Sequence, residues 1–471
     1  MAWQHGFWLV AVALLGGCVG SFLNVVIYRL SRGMSVHRPV RSFCPGCRVT
    51  IAWYDNIPIL SYLMLRGRCR RCGMPISARY PLIEGVTILL FLLMYDAFFL
   101  GSARREFTAL GNDWPVFVAH LVLLSALVVT SAIDIEGYWI DVTITFLVAA
   151  VGLVAHGLWT PPSSEGFPRP WSGTAAGVSG ATIGLGVSAL FQRLRSSNAP
   201  AEPVWPDSPS DVPPTETESE RGGRCASTSG LAWAWLMPVV IAGWFVLTAI
   251  DADRIDAPSA FGLRSGLVIL ACFAMMVGAG MAPTQAEADI VEAIHQERST
   301  ARAVALAELV WLLPAIGLGV LAAMGAIWTH RGGVLWREVL AWAPLGGTWR
   351  PIVGVTTAFS GFVVAGAVGW CVRIVFTLLL GKEAFGLGDV HLMAAAGAVA
   401  GWPVVVMGFF LGCPLALAAV LIWLVRKRSR AVWFGPWLSL GVVVAMVSYR
   451  PIADRVGASL EVLGWLLGAD R

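Results

Sequence analysis

Apolar runs long enough to cross a bilayer recur along this chain, separated by short polar stretches rich in arginine. The first covers residues 7–30, is interrupted by Gly16-Gly17 and holds Asn24, which needs a polar partner inside such a segment. Further spans are expected at about 82–102, 115–135, 139–159, 173–191, 231–250, 266–283, 304–328, 352–380, 404–425 and 434–448. Residues 392–401 are apolar but too few to cross alone, so a partial crossing that reverses at Gly401-Trp402-Pro403 is expected. The implied fold class is an all-α polytopic integral membrane protein with a small cytoplasmic segment after its first span.

Composition agrees. Of 471 residues, 57% are hydrophobic and 13% charged, and the mean hydropathy is +0.72. Twenty-two tryptophans suit a chain with many membrane interfaces, and a net charge of +4 favours no nucleic-acid partner. Residues 31–81 carry Arg32, Arg38, Arg41, Arg48, Arg66, Arg68, Arg70, Arg71 and Arg79, which by the positive-inside rule makes this segment cytoplasmic. Arg104 and Arg105 run against that rule. Ser196–Gly230, rich in Pro, Ser, Thr and Glu, is expected to be a disordered cytoplasmic loop. The charged stretch Glu287–Arg302 is expected to be a short interfacial helix. The chain therefore divides into a first span (1–30), an arginine-rich cytoplasmic segment (31–81), spans 82–170, a region 171–350 that holds the polar loop and further spans, spans 351–449 and an external tail (450–471).

Two constellations carry chemistry. Cys44-Pro-Gly-Cys47 and Cys69-Arg-Arg-Cys72 can each turn two thiolates toward one ion, and together they complete a tetrahedral zinc site of scaffolding type. Two disulfides are the alternative, which a reducing cytoplasm disfavours. Cys18, Cys272, Cys371 and Cys413 lie in apolar runs and are expected to be core thiols, while Cys225 stands alone in the polar loop. The second constellation is a pair of carboxylates at membrane edges, Asp134 in Ala132-Ile-Asp-Ile-Glu136 and Asp389 in Gly386-Leu-Gly-Asp389. Counting spans puts both on the cytoplasmic face, where they form a candidate aspartyl dyad. A local alternative has Asp389 cap a helix beginning at Val390. Glu136 and Asp141 are the nearest competing carboxylates, and Glu308, inside another span, has no assigned role. On carboxylates alone, an ion relay through Asp134, Asp389 and Glu308 fits equally well.

These residues resemble the type IV prepilin leader peptidases, membrane aspartic proteases with a Gly-x-Gly-Asp motif. The resemblance runs through Gly20-Ser-Phe-Leu-Asn-Val-Val-Ile-Tyr-Arg-Leu30, the double Cys-x-x-Cys segment with Trp53-Tyr-Asp-Asn-Ile-Pro58 and Arg79-Tyr-Pro-Leu-Ile-Glu84, Ile133-Asp134, Gly386–Asp389 and Phe434-Gly435-Pro436. It implies cleavage of prepilins or pseudopilins just before their N-terminal hydrophobic helix by Asp134 and Asp389, at the cytoplasmic face of the bacterial inner membrane. In many members it also implies methylation of the new N-terminus with S-adenosylmethionine, for which Asn24 and Glu84 are candidates that packing would explain as well. Three features depart from the family pattern. Trp139-Ile140-Asp141 lacks a proline, His391 stands where a lysine is usual, and residues 170–350 have no counterpart. A catalytically inactive assembly scaffold derived from the peptidase is thereby left open.

Overall fold

The computed structural model describes residues 2–37, 41–101, 109–137, 139–159, 172–196, 228–250, 258–279, 300–328, 350–383, 385–426 and 432–466, with Arg104 and Phe107. Among them the order is α1 (Ala2–Leu30), α2 (Leu60–Met64), α3 (Arg79–Tyr95), α4 (Leu110–Gly137), α5 (Val142–Leu158), α6 (Ser172–Ser196) and α7 (Thr228–Ile250). Then follow α8 (Pro258–Ala279), α9 (Ala301–Trp328), α10 (Arg350–Leu380), α11 (Leu387–Ala400), α12 (Trp402–Val425) and α13 (Gly435–Leu466). Nine helices among the described residues are long and apolar enough to cross a membrane, and the β structure there is limited to two isolated bridges. The all-α polytopic architecture is as the hydropathy pattern requires. The polar loop between Ser196 and Thr228, with Cys225, lies outside the described residues, as does the connector up to Thr300.

The chain forms two compact units: residues 1–96, 124–140 and 194–287 in the first, and 97–123, 141–193 and 288–471 in the second. In the first unit α1 lies along α3. Gly16 and Gly20 face α3 so closely that an added Cβ would fall 2.9 Å from the Ile88 Cα and 2.7 Å from the Glu84 Cα, respectively. Small residues four apart let helix backbones approach where lipid supplies no hydrophobic drive. The Gly16-Gly17 pair therefore does not interrupt α1, which is continuous; its glycines are the packing face. Asn24 finds its polar partners in the carbonyls of Tyr80 (3.0 Å) and Gly20 (3.3 Å). At the far end of α3, Asp96 accepts two hydrogen bonds, of 2.7 and 2.9 Å, from Arg264 of α8. Neither side chain is exposed to solvent.

In the second unit α11 is buried without a break from Leu392 to Ala400, which explains why its sequence is apolar on every face. Its neighbours are α5 and α10: His156 Nε2 lies 3.0 Å from the Val399 carbonyl, and a Cβ on Gly152 would fall 2.9 Å from the Ala398 carbonyl. At 14 residues, α11 is about 21 Å long, short of the roughly 30 Å of hydrocarbon. The chain reverses as expected at Gly401, whose φ of 88° suits glycine. The last helix is longer than expected, continuing through Pro451 to Leu466. Of the four cysteines expected in the core, Cys272 is buried, whereas Cys18, Cys371 and Cys413 lie on exposed helix faces.

Candidate functional site

The four predicted metal ligands come together in the first unit. The Sγ atoms of Cys44, Cys47, Cys69 and Cys72 all lie within 4.8 Å of one another, and those of Cys44 and Cys72 are 3.8 Å apart. A tetrahedron of Zn–S bonds of about 2.3 Å requires sulfurs about 3.8 Å apart, so the cluster fits a structural zinc ion. Each pair sits on its own tight turn. The Cys44 N–H donates to the Val49 carbonyl (3.0 Å) and the Cys69 N–H to that of Met74 (2.9 Å). Bridges between Phe43 and Thr50 and between Arg68 and Pro75 close the two turns. Burial pushes the Cys44 thiol up to about 12, whereas the backbone N–H groups of Cys72 and Arg71 hold Cys69 down at about 7. The four are free thiols rather than disulfides.

The turns connect to α3 through the loop before α2. Ile59 donates its N–H to Glu84 Oε2 at 2.7 Å, and Arg70 forks onto Asp55, holding that carboxyl below its ordinary range. Glu84 and Asn24 are thus both committed to packing: one carboxylate oxygen holds the loop and the amide holds α3.

Asp134 is buried in the last turn of α4 in the first unit. Its neighbour Glu136 is paired with Arg79. Asp141 caps α5, its Oδ1 accepting from the Thr143 N–H at 2.7 Å. Both competing carboxylates therefore have structural work. In the second unit Asp389 is also buried, but it is not the cap of a helix starting at Val390. Helix α11 starts at Leu387 with Gly386 as N-cap, which makes Asp389 the third helical residue. Its carboxylate folds back over the cap, where a Cβ on Gly386 would lie 3.2 Å from Oδ2. His391 faces Phe146, their ring centroids 6.4 Å apart.

The turn ahead of α11 is gripped by Arg373, the one charged residue of the apolar run 352–380. Arg373 of α10 donates to the Phe385 carbonyl at 2.5 Å and to Glu383. It also forks onto Glu308 of α9, with hydrogen bonds of 3.0–3.2 Å. Glu308 thus has an ion-pair partner.

Residues 14–98 match the family model described as the bacterial peptidase A24 N-terminal domain. The chain is 42% identical over 172 residues to a prepilin leader peptidase/N-methyltransferase of Myxococcus xanthus, covering 36% of this chain and 45% of that protein. It is 40% identical over 158 residues to the protein of the same name from Klebsiella pneumoniae, covering 32% and 63%. It is 38% identical over 171 residues to a type 4 prepilin-like proteins leader peptide-processing enzyme of Escherichia coli, covering 32% and 58%. The chain thus spans between 45% and 63% of the length of these relatives. No solved structure matches.

Proposed function

We propose that this protein is a membrane aspartic endopeptidase that removes the leader peptides of type IV prepilins and pilin-like secretion subunits at the cytoplasmic face of the bacterial inner membrane. The observation that carries this reading is the state of the carboxylates. Asp134 and Asp389 are both buried near ends of apolar helices, while Glu136 and Asp141 are committed to an ion pair and a helix cap. The names of the relatives supply the substrate class. An ion relay, by contrast, would need Glu308 available for proton exchange, and Arg373 holds it.

In the proposed mechanism, Asp134 and Asp389 act as one titrating pair that keeps a single proton, because two neighbouring carboxylates do not both ionise readily. The ionised partner takes a proton from water, the water attacks the scissile carbonyl, and the protonated partner hydrogen-bonds the developing oxyanion. Zinc held by Cys44, Cys47, Cys69 and Cys72 would stiffen the segment that meets the basic leader, a role of shape rather than catalysis. Methylation of the new N-terminus with S-adenosylmethionine is a second proposed activity, and it rests on the printed names of the relatives.

The test is cleavage of a co-expressed prepilin followed by mass measurement of the mature N-terminus. Wild type should release the leader, and one added methyl mass would report the second activity. Asp134→Asn and Asp389→Asn should each insert normally and leave the prepilin intact. Substantial cleavage by either purified variant would remove that residue from the dyad.

A further inference from the structure

Helix α9 belongs to the region 171–350, which the family resemblance leaves without a counterpart, and yet it reaches the end of α10 at two points. Arg302, in its first turn, donates from Nε to the Leu378 carbonyl at 3.1 Å. A cation there suits the unsatisfied carbonyls of a helix C-terminus. Two turns further along, Glu308 accepts the Arg373 fork. Behind it, α9 is seated on α6: Ser188 donates to the Trp311 carbonyl at 2.7 Å, and a Cβ on Gly177 would fall 3.3 Å from the Ala323 Cβ. The position of Glu308 is therefore set by helix packing within the inserted region.

Arg373 does more than anchor α9. Its guanidinium is buried and has three partners, one on α9 and two in the turn before α11: Glu308, the Glu383 carboxylate, and the Phe385 carbonyl immediately before Gly386. A planar fork can hold several acceptors in fixed directions, which an ammonium cannot. Of the two carboxylates that fix it, Glu308 lies on α9 and Glu383 lies within the chain reversal between α10 and α11. A cleft of about 210 Å³, lined by Thr300, Val304, Glu308, Arg373, Thr377 and Glu383, opens beside it.

We propose that α9 positions the turn that presents Asp389. Glu308 orients Arg373, Arg373 holds the Phe385 carbonyl and Glu383, and these contacts set where Gly386 caps α11. Glu308 and Arg373 are positioning residues, and the inserted region acts on the candidate active site through them. The part of this inference that concerns activity rests on the peptidase reading; the part that concerns the turn does not.

The experiment combines two readouts on full-length protein in membranes: amide hydrogen exchange over residues 381–389, and steady-state prepilin cleavage. Glu308→Gln keeps the shape and removes the charge; exchange in that turn should rise about tenfold. kcat should fall while KM stays near wild type, because the turn is displaced and no substrate contact is lost. Arg373→Lys, which keeps charge but loses the fork, should do the same. Glu308→Asp should fall between wild type and Glu308→Gln, and it also serves if Glu308→Gln fails to insert. Exchange at 381–389 unchanged from wild type in inserted Glu308→Gln and Arg373→Lys would overturn the proposal and leave the ion pair as an anchor between α9 and α10. Should wild type fail to cleave prepilin, the peptidase reading falls, and the exchange measurement still decides the role of α9.

Discussion

Arg48 and Gly73 occupy the same place in the two cysteine turns, each directly after the second cysteine and each at positive φ, 55° and 70°. Each donates its N–H back to the first cysteine of its own turn, at 2.7 Å to Cys44 and 2.9 Å to Cys69. One backbone shape is thus used twice around the candidate zinc site. Glycine takes that shape at little cost, whereas a residue with a Cβ loses about 1 kcal/mol.

The two turns should therefore respond in opposite directions. Arg48→Gly should stabilise its turn by up to about 1 kcal/mol, and Gly73→Arg should destabilise the other by at least about 1 kcal/mol. Zinc loss to a chelator from the full chain should slow in the first variant and quicken in the second. Identical release from both would mean that backbone strain does not govern metal retention.

Gly386 offers a separate handle on Asp389. Its φ of −66° and ψ of 143° are open to alanine, so Gly386→Ala should fold normally. The added Cβ would sit 3.2 Å from Asp389 Oδ2, tight enough to displace the carboxylate by a few tenths of an ångström. Prepilin cleavage should fall about tenfold or more, with the thermal midpoint nearly unchanged. Full activity would show that the carboxylate need not fold over the cap.

Much of this was legible in the chain itself, for physical reasons. A helix that must satisfy its backbone in hydrocarbon leaves a long apolar run, and four thiols on two short turns leave a fixed spacing. The start of α11 was not legible. Gly386-Leu387-Gly388 has the composition of a loop, yet burial of the following residues draws Leu387 and Gly388 into the helix and shifts Asp389 from cap to third position. Glu308 and Arg373 were each visible as a lone charge in an apolar segment, but their pairing depends on helix packing that no local pattern records. Asp96 had no local signal at all, because its partner is 168 positions away.

That buried pair makes a stability prediction. Removing one member leaves a desolvated charge, so Arg264→Met and Asp96→Leu alone should each cost about 3–5 kcal/mol. The double variant Asp96→Leu/Arg264→Met leaves no charge behind and should recover most of the loss. Denaturant titration in detergent would show this as strong non-additivity. Additive losses would mean that each side chain is held by something other than its partner.

The last prediction concerns Ile59, a β-branched residue at φ 60° and ψ −49°. The Leu60 N–H donates to the Pro58 carbonyl at 2.5 Å, a three-residue turn of the hand that L-residues disfavour. Such backbone costs about 1–3 kcal/mol and persists only where the surroundings hold it. Here the holder is Glu84, which receives the Ile59 N–H at 2.7 Å. Ser61 secures the same loop, accepting from the Ile57 N–H at 2.9 Å and donating to the Tyr54 carbonyl at 3.0 Å. Ile59→Gly should raise stability by about 1 kcal/mol by removing the strain. Glu84→Ala should lower it by about 1–3 kcal/mol, because a polar group loses its partner and the turn loses its restraint. In Ile59→Gly/Glu84→Ala the glycine needs no restraint, so the double variant should lie above the sum of the single effects. Thermal midpoints and limited proteolysis across residues 53–64 would measure all three. Strictly additive effects would show that the carboxylate does not hold the turn in its strained shape, and the source of that shape would then lie in Pro58 and Ser61.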